Sequence, residues 1–272
     1  LHRRRHSFPT RRSSDLRDAW LESHPNLKEG LTTDIYDELK AAAQRLKPFV
    51  KDVAMLAHNR LHEGAKVLLE GAQGTMLDVS FGTYPYVTSS NLISGSCAGG
   101  LGIPPWKVSK IIGVIKAYST RVGNGPYPAE LTGTFADLLR TKGKEFGTVT
   151  GRPRSVGWLD LVSLRYFSCI NGLTSLALMK SDVLSGMEHV GLIVGYKDKR
   201  TGKDMEGYPM TVQAWEAVEP VLEFVDGWSD QLYTPKGLDV SFQKFIKRIE
   251  TYLNVPVDYI SLGAERNAGL FV

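Results

Sequence analysis

Short apolar segments and amphipathic segments alternate along this chain, and this alternation constrains the fold more than any other feature. Residues 175–179 form a short apolar run that predicts a buried strand. Residues 242–253 instead place apolar side chains at the spacing of a helix with one buried face. Such alternation predicts an α/β fold with a mostly parallel central sheet flanked by helices. A polar turn at 197–203 predicts a smaller hairpin-containing subregion, formed by residues 189–196 and a segment after Met205.

The same rules predict further elements and a first candidate binding loop. Helical spacing of apolar residues predicts helices over residues 34–46, 53–63, 105–115, 135–140 and 159–171. Residues 67–69 are expected to form a buried strand directly before the glycine-rich loop at 70–75. A glycine-rich loop after a strand is where α/β proteins bind ligands. Gln73, at its tip, can donate and accept hydrogen bonds, which suits a neutral base edge or a ribose.

The positive charge of the chain is concentrated in its first 16 residues. They include five arginines and one aspartate, and without them basic and acidic residues are equal in number. The composition therefore does not indicate a nucleic-acid partner, and residues 1–16 are predicted to be a disordered or artefactual tail. No apolar run approaches a membrane span, so no membrane contact is expected. Cys97 and Cys169, far apart and without a partner motif, are expected to be buried free thiols in a reducing cytoplasm.

A loop at residues 147–154 carries two arginines in a glycine-rich setting. Gly147 and Gly151 allow the backbone to bend and to approach a ligand closely. Arg152 and Arg154 each offer a planar fork of donors, and Pro153 fixes the backbone between them. This pattern favours binding of carboxylates or phosphates. The alternative is a solvated basic turn that precedes a helix.

The strand at 175–179 runs directly into Lys180, Ser181 and Asp182. A carboxylate there can accept hydrogen bonds from N1–H and the 2-amino group of guanine, and adenine lacks donors at those positions. The lysine stem can pack over the purine plane while its ammonium group stays in water. Residues 261–263, after the last predicted strand, are a second segment able to contact a purine. Lys-x-Asp is a common tripeptide, so this motif alone is weak support.

Five motifs in order resemble the adenylosuccinate synthetase family. They lie at residues 70–75, 82–91, 116–123, 150–160 and 180–182, and the resemblance runs from about residue 17 to the end of the chain. It implies a P-loop-NTPase-like fold, and it makes residues 17–272 a partial adenylosuccinate synthetase domain. Members of this family use GTP and Mg²⁺ to join IMP and L-aspartate in purine (AMP) biosynthesis. The resemblance also implies a cytoplasmic homodimer.

The resemblance assigns ligand contacts residue by residue. It places IMP at Gln73, Thr88, Val122 and Arg152. It places aspartate at Thr148, Val149, Thr150, Gly151, Arg152, Pro153 and Arg154. It places GTP at Arg154, Lys180, Ser181, Asp182, Ser261, Leu262 and Gly263. The sequence departs from the family pattern at Val149, where a threonine is familiar, and at Ser155, where a basic residue is often seen.

The family motifs for phosphoryl transfer are absent from this sequence. The family begins with a glycine-rich phosphate loop that contains a catalytic Asp, followed by a His, and neither motif occurs here. We therefore assign no catalytic residue and no metal ligand to this chain, and we expect the Mg²⁺ ligands to lie mainly in the missing part. We expect the 272-residue chain to be a truncated, C-terminal portion that is inactive by itself. The alternative is a non-catalytic guanine-nucleotide-binding module.

Overall fold

The computed structural model describes residues 22–23, 34–147, 151–235 and 237–272. The expectations for residues 1–16 and for Thr148, Val149 and Thr150 lie outside this part. The chain divides into two units, residues 1–62 and residues 63–272. In the first unit, helix α1 (Asp34–Leu46) is followed by a 3-10 turn (Lys47–Phe49) and helix α2 (Val53–His62). Pro48 lies within that turn and interrupts the helical pattern.

The second unit contains all the strands of the described residues. The strands are β1 (Ile112–Lys116), β2 (Ser119–Arg121), β3 (Ser155–Gly157), β4 (Leu159–Asp160), β5 (Ser175–Met179), β6 (His189–Asp198), β7 (Val218–Asp226), β8 (Tyr233–Thr234), β9 (Gly237–Leu238), β10 (Val257–Ser261) and β11 (Gly269–Phe271). The helices of this unit are α3 (Ser94–Gly100), α4 (Gly133–Lys142), α5 (Leu161–Asn171), α6 (Val212–Glu216) and α7 (Val240–Leu253).

The central sheet has the order β1-β5-β10-β11, and its first three strands are parallel. Only β11 runs antiparallel, against β10. The predicted α/β fold with a mostly parallel sheet is therefore confirmed. Lys116 pairs in register with Met179, and Ile260 pairs with Leu178. The carboxyl ends of the three parallel strands consequently lie at one edge of the sheet, which is where open α/β sheets bind ligands.

The predicted hairpin-containing subregion exists, but its second strand was misplaced. Strand β6 pairs antiparallel with β7, and β4 extends this sheet in parallel on the other side of β6. The segment after Met205 forms no strand before helix α6, and the isolated bridge between Lys197 and Asp204 lies just before it. Gly207 has φ +76°, which turns the backbone away from an extended course, and Pro209 lacks a backbone donor. These two residues explain why β7 supplies the partner strand instead.

Three other sequence expectations were wrong. Cys97 is half-buried and Cys169 is exposed, whereas buried thiols were expected. Residues 67–69 form no regular structure, and Leu68 is 87% exposed. The segment 105–115 is not one helix, because Pro105–Lys107 is a 3-10 turn and β1 begins at Ile112. The β-branched side chains of β1 favour a strand. Gly113 supports that pairing, since a Cβ there would lie 2.5 Å from a methyl carbon of Leu173.

Helices α5 and α7 lie where the sequence predicts them, and they pack against each other. Asp160 caps the amino end of α5, and Gly172 ends it in the left-handed region at φ +61°. Helix α7 buries the predicted apolar face, and its phenylalanines join the core beneath the central sheet. No helix in the described ranges combines the length and the apolar character needed to cross a membrane.

Candidate functional site

A buried carboxylate collects three cations at the carboxyl edge of the central sheet. Glu145 Oε1 accepts hydrogen bonds from Lys116 Nζ at 2.8 Å, from Lys180 Nζ at 2.9 Å and from the Tyr118 hydroxyl at 2.6 Å. Its Oε2 accepts from Arg154 Nη1 at 2.9 Å. The Glu145 side chain is 0% exposed, whereas the three cationic side chains are 27–36% exposed. These five residues, called the Glu145 cluster below, therefore present positive charge outward over a buried negative charge.

Each member of the cluster is placed by the end of a regular element. Lys116 is the last residue of β1, and Lys180 follows β5 with the left-handed backbone value φ +59°. Glu145 follows the turn that ends α4, where Gly143 allows close packing, because a Cβ there would lie 2.3 Å from the Tyr118 hydroxyl. Arg154 immediately precedes β3, and its N–H donates to the Glu145 carbonyl at 3.0 Å. The sheet edge thus brings together side chains that are far apart in sequence.

The electrostatics of the cluster favour an ionised carboxylate and an anionic ligand. Burial alone would raise the pKa of Glu145, but hydrogen bonds from Lys116, Tyr118 and Lys180 lower it to about 2. Burial lowers the pKa of Lys116, and the bond to Glu145 opposes that change. Burial raises the pKa of Tyr118, so it stays a neutral donor. Because one carboxylate faces three cations, the cluster retains the positive charge needed to attract a phosphate or a carboxylate.

The lowered pKa of Glu145 predicts a specific acid sensitivity. The folded-state pKa of about 2 lies below the ordinary value of 4.5, so ionised Glu145 stabilises the fold above about pH 4.5. That contribution should disappear as the pH falls towards 2 and is worth about 3 kcal/mol. Urea unfolding between pH 6 and pH 2 should show that Glu145→Gln removes this part of the pH dependence. A Glu130→Gln control should retain it, and parallel curves for wild type and Glu145→Gln would contradict the prediction.

A second buried carboxylate organises the loop that carries Thr88. Asp78 is 0% exposed, and its two oxygens accept hydrogen bonds from four backbone N–H groups. The donors are Ser80, Phe81, Leu92 and Ile93. Burial would raise the pKa of Asp78, but these donors lower it, so the carboxylate stays ionised. Thr88 is fastened within this loop by its own N–H, which donates to the Leu77 carbonyl at 2.9 Å.

Asp78→Asn should lower the local stability of the loop without changing the overall course of its backbone. The asparagine side chain has one acceptor oxygen, so its NH₂ group would face N–H groups that need an acceptor. The loss should be about 3 kcal/mol of local stability, because two charge-assisted bonds in a buried site are removed. Hydrogen exchange at residues 80, 81, 92 and 93 should accelerate markedly. Asp198→Asn, which alters an exposed turn elsewhere, is the control, and unchanged exchange in Asp78→Asn would count against the prediction.

Two further side chains attach this loop to the rest of the site. Arg121 is buried in β2, and its Nη2 donates to Thr83 Oγ1 at 3.0 Å and to the Tyr86 carbonyl at 3.3 Å. Arg121 also pairs in register with Ser155, the residue after Arg154. At the loop's flanks, the Asn171 amide accepts from the Ser94 N–H at 2.8 Å and donates to the Thr75 hydroxyl at 3.1 Å. The loop and Arg154 are therefore held by the same pair of strands.

The sequence-predicted residues fall into three groups in the structure. At the sheet edge, Lys180 joins the Glu145 cluster, Ser181 is buried with its carbonyl accepting from Trp228 Nε1, and Ser261 Oγ donates to the Gly263 carbonyl. Because β5 and β10 are neighbours, the segments 180–182 and 261–263, with Asp182 and Leu262, lie side by side.

The second group is the loop at 147–154, where Arg154 joins the Glu145 cluster and Arg152 is exposed. The Gly147 N–H donates to the Arg152 carbonyl at 2.8 Å, and Gly151 has φ +63°. Pro153 makes an isolated bridge to Phe146. The third group is the polar loop region, where Gln73 is exposed with φ +62° and Thr88 is half-buried. Val122, next to the buried Arg121, is 60% exposed.

Sequence reasoning missed the residues that hold these groups together. Glu145, Asp78 and Arg121 are charged and almost fully buried, yet nothing in their local sequence marks them as buried. Lys116 lay within a motif that carried the family resemblance, and no role was assigned to it. The signal that identifies them is tertiary, namely the convergence of donors from separate segments.

Within the ranges that the structure describes, no three His, Cys, Asp or Glu side chains converge as ligands for a metal ion. His58 and His62, which are four residues apart on α2, belong to no such group.

The fold and the site define an α/β protein with a cluster of cationic side chains at the carboxyl edge of a parallel sheet. The family model for adenylosuccinate synthetase matches residues 10–270 of the chain. The chain therefore belongs to the adenylosuccinate synthetase family. The sequence-based resemblance to this family is confirmed, and members of the family are GDP-forming ligases of purine biosynthesis.

Individual relatives support the same assignment. The chain is 45% identical over 235 residues to adenylosuccinate synthetase from Caldanaerobacter subterraneus, covering 85% of this chain and 54% of the relative. It is 46% identical to the chloroplastic enzyme from Chlamydomonas reinhardtii, covering 83% and 49%. A solved structure of fully ligated adenylosuccinate synthetase from Plasmodium falciparum matches with TM-score 0.86 at 39% identity, over 96% of this chain and 62% of that one. The chain spans about half the length of the curated relatives it matches.

Proposed function

We propose that this chain is part of an enzyme that joins IMP and L-aspartate to form adenylosuccinate, with conversion of GTP to GDP and phosphate. The observation that carries the proposal is the shared bonding of Arg154 and Lys180 to Glu145. One residue belongs to the predicted aspartate loop and the other to the predicted guanine segment. Their common partner supports a dicarboxylate site beside a nucleotide site, as this reaction requires.

The guanine base lies against the segments 180–182 and 261–263 in this proposal. Asp182 accepts the N1–H and 2-amino hydrogen bonds of guanine, and the Lys180 stem covers the base. Ser181, Ser261, Leu262 and Gly263 complete the pocket with backbone groups at the ends of neighbouring parallel strands. Support comes from the pairing of β5 with β10, which makes these two segments adjacent.

Aspartate and IMP occupy the loops on the other side of Arg154. Residues 148–154 close over aspartate, Arg154 binds it and approaches GTP, and Arg152 bridges the aspartate carboxylate and the IMP ribose. Gln73, Thr88 and Val122 contact IMP. In support, Arg121 of β2 donates a hydrogen bond to the loop that contains Thr88, and β2 pairs with β3, which begins directly after Arg154.

In the proposed reaction, GTP phosphorylates the 6-oxygen of IMP, and the amine of aspartate then displaces phosphate from the resulting 6-phosphoryl-IMP. The residues of this chain bind and orient the reactants, and none is assigned a proton-transfer role. Magnesium in such a reaction neutralises charge on the transferred phosphoryl group. The proposal includes a homodimer and a cytoplasmic location. Fluorescent tagging would distinguish the cytoplasm from the plastid named for the algal relative.

A chimera tests the proposal directly. This chain would replace the 235-residue segment that it matches in the Caldanaerobacter relative, and adenylosuccinate formation would be assayed with IMP, L-aspartate, GTP and Mg²⁺. We expect an active chimera, whereas the relative without that segment should be inactive. Calorimetric titration of the 272-residue chain with GDP and ADP is the companion experiment, and we expect a preference for GDP. A folded chimera without activity, together with GDP binding, would instead support a non-catalytic guanine-nucleotide module.

A further inference from the structure

The Glu145 carboxylate is shared by three segments that the proposed function assigns to different ligands or leaves without a role. Its Oε2 binds Arg154 of the aspartate loop. Its Oε1 binds Lys180 of the guanine segment and Lys116 at the end of β1. One carboxylate oxygen, Oε2, therefore binds the cation of the loop, and the other, Oε1, binds the two cations at the sheet edge.

The chain offers a useful comparison in Asp160, another deeply buried carboxylate. Asp160 accepts hydrogen bonds from neutral groups, among them the backbone and side chain of Ser163 and the Tyr196 hydroxyl. It caps α5, which is a role in the fold itself. Glu145 differs because its partners are cations whose ends reach the surface. The hydrogen bonds of Glu145 therefore hold side chains at the surface where ligands are proposed to bind.

We propose that Glu145 is a positioning residue that holds Arg154 and Lys180 in one fixed arrangement, so that the aspartate side and the guanine side of the site form together. The inference rests on the proposed function for the identity of those two sides. Glu145 touches no ligand in this arrangement. It acts through the cations that it orients.

The physical need for such a residue follows from the charges. Lysine and arginine side chains have many rotamers, and cations that approach one another repel, so without a buried anion they would move apart into water. Lys180 also donates to the Gly143 carbonyl at 2.6 Å, and Lys116 donates to Thr120 Oγ1 at 2.9 Å. These neutral acceptors fix the direction of each ammonium group. Among the acceptors that the structure describes, Glu145 is the one shared by both lysines and by Arg154.

Positioning and simple charge neutralisation predict opposite effects of Glu145→Gln on GDP binding. Glutamine has the size of glutamate, and its oxygen can still accept from the lysines, but its NH₂ group cannot accept from Arg154. If Glu145 only cancelled charge, Glu145→Gln would leave a more positive surface and strengthen binding of any polyphosphate. If Glu145 positions the cations, the variant should weaken GDP binding and reduce the preference for GDP over inorganic pyrophosphate.

The first measurement is calorimetric titration of the 272-residue chain with GDP and, separately, with pyrophosphate. We expect Glu145→Gln to weaken GDP binding about tenfold or more, because charge-assisted bonds are lost. Tyr118→Phe removes one neutral donor to Glu145 without altering charge, and a smaller change in the same direction is expected. Glu223→Gln breaks the remote ion pair with Arg248 and is the matched control. Stronger GDP binding by folded Glu145→Gln would overturn the proposal.

A ligand-independent measurement separates failure of this inference from failure of the proposed function. Trace acetylation followed by peptide mass spectrometry reports how freely the Lys116 and Lys180 amines react, with exposed Lys247 as the internal reference. We expect both amines to react severalfold faster in Glu145→Gln and faster in Tyr118→Phe, but not in Glu223→Gln. Unchanged labelling would refute positioning by Glu145. If labelling changes but the wild-type chain binds no guanine nucleotide, positioning stands and the proposed guanine site fails.

Discussion

Arg154→Ala should lower aspartate-dependent turnover of the chimera by about a hundredfold to a thousandfold, corresponding to about 3–4 kcal/mol. Two losses combine in this variant. The guanidinium that is proposed to bind aspartate disappears, and Glu145 Oε2 loses the donor that lies 2.9 Å away. Removing one partner of a buried ionic contact is costly because the remaining charge stays buried. Steady-state kinetics with aspartate as the varied substrate measure the effect.

Two other variants identify the source of that loss. Arg152→Ala should cost less, about 1.5–3 kcal/mol, because Arg152 lies on the exposed part of the loop and outside the Glu145 cluster. Arg154→Lys keeps the charge but lacks the planar fork, so it should recover only part of the activity. Equal effects of Arg152→Ala and Arg154→Ala on all three substrates would contradict the distinct role given to Arg154.

The strand that leads into the proposed guanine segment could be predicted from sequence because its signal is local. After Ser175 the run to Met179 is uniformly apolar, and the polar residues Lys180 to Asp182 follow at once. A buried strand followed by charged residues in an α/β chain specifies both the element and the edge where it ends. The strand at Ser175–Met179 and its place in the parallel sheet confirm that reasoning.

The misassigned strand β1 shows the limit of periodicity. Apolar residues at 108, 111, 112 and 115 match the helical spacing as well as residues 112–116 match a short strand. Local spacing cannot separate the two for a short run, whereas pairing with β5 decides for the strand. Residues 67–69 illustrate the opposite case, since an apolar run without sheet pairing remained irregular. Tertiary pairing, absent from any local window, determined both outcomes.

The residues that organise the site were unpredictable for a related reason. Glu145 meets Lys116, which is 29 positions earlier, and Lys180, which is 35 positions later. Arg121 reaches Thr83 across 38 positions. Glu145 and Asp78 lie outside the five motifs, and a charged residue is by default expected at the surface. Candidate ligand contacts could thus be named from motifs, while the buried charges that support them required the fold.

Asp182→Asn should reduce discrimination between GTP and ATP by about a hundredfold or more, because a site built to accept two hydrogen bonds loses one acceptor. Asp182 lies in the 3-10 turn Ser181–Leu184 directly after β5, half-buried, beside the segment 261–263. The asparagine NH₂ group would face the guanine 2-amino group, and two donors cannot bond to each other. The measurement is the ratio of kcat/KM values for the two nucleotides in the chimera.

Xanthosine triphosphate distinguishes a change in base recognition from general damage to the site. Xanthine carries a carbonyl oxygen where guanine has its 2-amino group, so the asparagine NH₂ group has an acceptor there while its oxygen still accepts N1–H. Asp182→Asn should therefore use xanthosine triphosphate better than the unmodified chimera does, even as its use of GTP falls. Asp230→Asn changes a carboxylate outside the two base-contacting segments and should alter neither ratio. Loss of GTP use without a gain for xanthosine triphosphate would remove Asp182 from the base-recognition site, because unspecific damage lowers the use of every nucleotide.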